Sequence, residues 1–135
     1  MKRRLVVFTV AAMLCTMFAG AATARAAQTV DWVGNGLDSV HLCQRGLERP
    51  HLHWVLTPGG SPVAGTTAEL FINGKDAGTM VANGPQGALQ LTISVSTKFS
   101  FEDMEDATAY AEVLTGSVGD GAVLTISDGC LCTYD

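Results

Sequence analysis

The chain has 135 residues, with 8 basic and 13 acidic side chains and a formal charge of −5. That length suits one domain of ordinary size, and an acidic surface repels nucleic acid and anionic lipid, so neither is an expected partner. Four cysteines are too few for a disulfide-built miniprotein, which leaves a hydrophobic core to carry the fold.

The N-terminus comes first. Met1-Lys2-Arg3-Arg4 is basic, Leu5 to Gly20 is apolar apart from Thr9 and Thr16, and small residues follow through Ala27. Basic, apolar and small-residue sections in that order form a secretory signal peptide. The apolar run falls short of the ~20 residues that span a bilayer, so stable membrane insertion is not expected. Ala22-Thr23-Ala24 and Ala24-Arg25-Ala26 are both suitable cleavage sites. The second makes residues 1–26 the signal and 27–135 a single secreted, extracellular domain. Cleavage removes Cys15 and four basic residues. Arg45, Arg49, Lys75 and Lys98 then face 13 acidic residues, a mature charge of −9.

Three cysteines remain, Cys43, Cys130 and Cys132. Export favours disulfides, and an odd number leaves one thiol free or paired between chains. A bridge from Cys43 to the C-terminal pair closes a loop of nearly the whole domain. The surplus cysteine makes a disulfide-linked dimer the alternative to a monomer.

The elements follow in chain order. Thr29–Val33 alternates as a short strand, broken by Gly34-Asn35-Gly36, and Asp38–Cys43 is a second. Gln44–Pro50 is a polar connector. His51–Thr57 is a strand, ended by Pro58-Gly59-Gly60-Ser61-Pro62. Thr66–Asn73 leads into Asn73-Gly74-Lys75-Asp76, a hairpin turn, because Asn-Gly accepts the positive φ angles of a tight turn. Ala77–Val81 returns, and Asn83–Gly87 turns again. Ala88–Ser96 alternates with Leu89, Leu91, Ile93 and Val95 inward. Thr97–Asp106 is an acidic connection, and Phe101–Tyr110 contains the one place for a short helix. Ala107–Leu114, a turn at Gly116–Gly121, and Ala122–Ser127 complete seven or eight strands. This spacing is that of an all-β sandwich or barrel.

Cys43 and Trp54 lie 11 residues apart, Leu89-Gln90-Leu91-Thr92-Ile93-Ser94 reads as a strand E, and Asp106-Ala107-Thr108-Ala109-Tyr110 as the segment of a tyrosine corner. With these features the chain resembles immunoglobulin-like domains. In that family a cysteine follows two residues after the tyrosine; here Glu112 stands there, so the usual bridge between strands B and F cannot form. The nearer similarity is to immunoglobulin-like or fibronectin-like modules of bacterial secreted and surface proteins, through Gly46, Pro50, His53-Trp54-Val55-Leu56-Thr57 and Leu124-Thr125-Ile126-Ser127-Asp128-Gly129-Cys130. The resemblance implies an antiparallel β-sandwich with a Cys43–Cys130 disulfide and Cys132 left over. It also implies a binding or structural role toward an extracellular protein or cell-surface component, without catalysis or cofactor.

Other constellations compete with that reading. His51 and His53 share a strand face, as do His41 and Cys43 on the strand before. Convergence of His41, His51 and His53 would suit Cu or Zn. Against this, Cys43 is better used in the disulfide that the resemblance implies, and Leu52 and Trp54 lie on the opposite face, where Trp54 is expected in the core. Glu102-Asp103-Met104-Glu105-Asp106 lacks the alternating pattern of a calcium loop. There is no G-x-S-x-G, H-E-x-x-H or phosphate-binding glycine loop, and Cys130-Leu131-Cys132 is C-x-C, not the C-x-x-C of thiol oxidoreductases. An exposed Pro58–Gly65 loop would serve a secreted enzyme inhibitor.

Overall fold

The computed structural model describes residues 28–60, 65–82 and 87–134. The segment expected to be a signal peptide and positions 61–64 of the Pro58–Gly65 loop lie outside the described residues. Among the described residues there are eight strands: β1 Thr29–Asp31, β2 Val40–Leu42, β3 His51–Thr57, β4 Thr67–Ile72, β5 Lys75–Ala82, β6 Leu89–Ser94, β7 Ala109–Thr115 and β8 Val123–Leu131. One short α-helix, α1 Phe101–Glu105, lies between β6 and β7, and a 3-10 turn, Leu37–Ser39, precedes β2.

The protein is all-β, as its turn spacing predicts. Its strands, however, are hydrogen-bonded into one mixed sheet and not into two facing ones, in the order β1-β7-β4-β5-β6-β3-β8-β2. The expectation of purely antiparallel pairing is corrected at one edge, where β2 runs parallel to β8. The sheet curls because one stretch of chain is held at both of its edges. β1 pairs with β7, and the Trp32 N–H then donates to Ala109 O at 2.9 Å. Three residues later Asn35 O accepts from Ile126 N–H of β8 at 3.1 Å, and β2 continues along that strand. Opposite the closure the sheet is thin: β5 and β6 pair only through Val81↔Gln90 and Ala82↔Leu89.

The core follows from alternation. On β3, Leu52, Trp54 and Leu56 are fully buried, while His51, His53 and Val55 face the other way. Ala68 and Leu70 of β4, Met80 of β5, Leu89 of β6, Ala109 and Ala111 of β7, and Leu124 and Ile126 of β8 complete the inner face. Leu91, Ile93 and Val95 pack against this core but are only partly buried. Trp32 closes it, meeting Trp54 edge-on with ring centroids 5.5 Å apart and planes at 74°, a favourable arrangement for two aromatic quadrupoles. Its indole N–H donates to Asn35 O at 2.9 Å, so the residue at the crossover is also pinned there.

Two turns show where the sequence signals hold and fail. Asn73 and Gly74 take φ of 51° and 81°, the tight hairpin expected of Asn-Gly. Gly129 marks no end of strand, and β8 runs on to Leu131. At φ 151°, a Cβ on Gly129 would stand 2.5 Å from His51 O. The glycine lets β8 pass close to β3. The acidic run is likewise explained locally. Ser100 Oγ accepts from Asp103 N–H at 2.9 Å and the Asp103 carboxylate accepts from Ser100 N–H at 2.9 Å, a capping box at the start of α1.

Candidate functional site

The stretch richest in reactive side chains converges on the β2–β8–β3 edge. In the sheet register, Cys130 of β8 lies opposite His41 of β2 on one side and His51 of β3 on the other. Cys43 directly follows the last residue of β2, and Cys132 directly follows the last residue of β8. Cys43 and Cys130 are joined by a disulfide with Cα atoms 4.8 Å apart, the pairing that the resemblance implies. Cys132 is a free, half-buried thiol.

The Gln44–Pro50 connector folds back over this pair. Leu47 and Glu48 N–H groups both donate to Gln44 O at 3.0 Å. The Glu48 carboxylate accepts from Gln44 N–H at 2.7 Å and lies 2.8 and 3.1 Å from His41 Nε2. The Gln44 backbone hydrogen bond, followed by the bond to His41, holds the Glu48 carboxyl below the usual carboxylate range, because both interactions favour the charged form. His41 Nε2, a Glu48 oxygen and Cys130 Sγ all lie within 4.8 Å of one another.

His41 and His51 flank Cys130, and His53 stands apart from them. His41 is tied to Glu48. His51 donates its Nδ1–H to Arg49 O at 2.8 Å, since a carbonyl only accepts, and that nitrogen is 3.8 Å from Cys130 Sγ. His53 has both ring nitrogens occupied across β6, by Thr92 Oγ1 at 2.6 Å and Gln90 Oε1 at 2.9 Å. Thr92 is its register partner, so His53 clasps β3 to β6. The grouping with ligand geometry contains one of the predicted histidines, His41, together with Glu48 and Cys130. Neither of those two was expected as a ligand. Glu48 sits in a connector whose polarity reads as solvation, and Cys130 was accounted for by its disulfide.

Beside the disulfide a cleft of about 580 Å³ is lined by Leu42, Cys43, Arg45, Glu48, Arg49 and Cys132, among others. Two of the four basic residues that follow residue 27 line it. Leu42, in its lining, is 43% exposed, and Leu47 of the same connector is 80% exposed. No protein-family model, curated protein or solved structure matches this chain.

Proposed function

We propose that this chain is an exported, non-enzymatic module of immunoglobulin-like character that binds an extracellular protein or cell-surface component through the Gln44–Pro50 face. The observation that carries the reading is the cleft itself. Arg45 and Arg49 gather cationic charge in a chain that is otherwise strongly acidic, exposed Leu42 lines the same cleft, and Leu47, between the two arginines in sequence, is exposed. Arginine is enriched at interface centres, and its planar fork suits carboxylates. The partner surface is accordingly an acidic segment carrying at least one apolar residue. The remaining acidic surface of the module keeps other anionic partners away.

The test is capture from culture medium by the immobilised chain, wild type against Arg45→Ala/Arg49→Ala. The double variant loses the captured partner, whereas Leu114→Ala, at an exposed position on β7, retains it. Equal capture by the double variant refutes the assignment of this face. The mass of the exported chain, expected to begin at Ala27, checks the compartment.

A further inference from the structure

Cys43 has two cysteines within reach of its register. In the parallel pair of β2 and β8, His41 faces Cys130 and Leu42 faces Leu131. The ladder ends there, with the Cys43 N–H donating to Leu131 O at 2.9 Å, one residue before Cys132. The bridge present runs to Cys130, two residues before Cys132, with Cα atoms 4.8 Å apart. Cys43 and Cys132 line the same cleft, so the free thiol and the sulfur it would attack share one opening. Loops closed from Cys43 to Cys130 or to Cys132 differ by two residues, so chain entropy does not choose between them.

Cys130 is the member of the bridge with other chemistry around it. Its sulfur is within 4.8 Å of a His41 nitrogen and a Glu48 oxygen, which are themselves bonded at 2.8 Å. In a disulfide this sulfur is a poor ligand. As a thiolate it would join an imidazole and a carboxylate in a three-ligand set of the kind that holds Zn²⁺ with a fourth position left for water.

We propose that Cys132 makes the disulfide movable, and that moving it opens a site for a zinc-class divalent ion formed by His41, Glu48 and Cys130. The Cys132 thiolate attacks Cys43 Sγ. The Cys43–Cys130 bond breaks as the Cys43–Cys132 bond forms, and Cys130 leaves as the thiolate. One disulfide replaces another, so no oxidant or reductant is consumed. The proton of Cys132 passes to solvent, and the ion takes up the charge of Cys130. Because the ion binds only the rearranged form, its presence draws the bridge toward Cys132 by mass action.

The experiment needs no substitution to begin. The purified chain is held near the ordinary thiol pKa of about 8.5 with zinc chloride or with EDTA, then quenched in acid. Its free cysteine is identified by alkylation and fragmentation mass spectrometry. In EDTA the bridge is Cys43–Cys130. In zinc the ratio of Cys43–Cys132 to Cys43–Cys130 rises at least about tenfold, and His41→Ala or Glu48→Gln reduces that rise by a similar factor, in line with the roughly 10–100-fold losses that disturbed metal sites show. The Cys43→Ser/Cys132→Ser variant, in which Cys130 is permanently free, binds Co²⁺ with a thiolate-to-cobalt charge-transfer band. An unchanged bridge in zinc, a shift indifferent to His41→Ala, or a double variant without that band overturns the proposal.

Discussion

Replacing Cys43 with serine removes the one bridge of the described residues, and its cost can be worked from the loop it closes. The two cysteines are 87 residues apart. In the chain-entropy treatment a loop of that length restricts the unfolded chain by about 4.5 kcal/mol at 25 °C, within the roughly 2–5 kcal/mol that loss of a native disulfide costs small domains. Set against a typical domain stability of about 5–15 kcal/mol, that is a large fraction. The assay is urea unfolding followed by fluorescence of Trp32 and Trp54, which sit at the core beside the crossover. With a urea slope of about 1–3 kcal/mol/M, the midpoint falls by roughly 1.5–4.5 M. Cys132→Ser is the control, since it leaves the bridge in place, and its midpoint stays near that of the wild type. A Cys43→Ser loss below about 1 kcal/mol refutes the reasoning, because it would mean that the unfolded chain is already restrained or that the bridge strains the folded one.

Trp32→Ala removes the edge-on partner of Trp54 and the bond to Asn35; it is expected to cost about 3–5 kcal/mol in the same urea assay, as large aromatic truncations in cores do. Gly129→Ala forces a side chain against His51 O at a positive φ; the expected loss is about 2 kcal/mol or more, with a rise in free thiol measured by alkylation as Cys130 is displaced. Glu48 has its folded pKa lowered, so its contribution is complete above the ordinary carboxylate value and disappears as pH falls through the lowered one. Protection of the Gln44 amide from hydrogen exchange should drop over that acidic window, and Glu48→Gln should weaken it at neutral pH.

How much of this was legible in the sequence depends on how local each decision is. Leu52, Trp54 and Leu56 declared their face by alternation alone, and Asn73-Gly74 declared its turn, because both are settled within a few residues. The site of α1 was visible for the same reason, although the capping role of Asp103 was hidden among neighbouring acids. Strand pairing is another matter. Alternation says which residues share a face but not which strand lies alongside, so one curled sheet and two facing sheets read alike. The parallel pairing of β2 with β8 joins segments almost ninety residues apart and left no local mark. Gly129 left no local mark either, because its lack of a side chain answers the close approach of β3. For the site, His51 and His53 were seen to share a face, but Thr92 and Gln90 could not be seen waiting for His53 across β6. Glu48 was concealed because a polar connector has no periodicity, and only its fold over His41 gives the residue a role.

The placement of the bridge also decides how the molecule would carry load. A pull applied to the two ends of the chain passes from the segment before Cys43 straight across to the segment after Cys130. The strands from β3 to β7 lie within the closed loop and stay slack. Under tension β1 and β2 can be drawn from β7 and β8, and extension then stops at a covalent bond, with most of the sheet still folded. Moving the bridge to Cys132 would leave this limit almost unchanged.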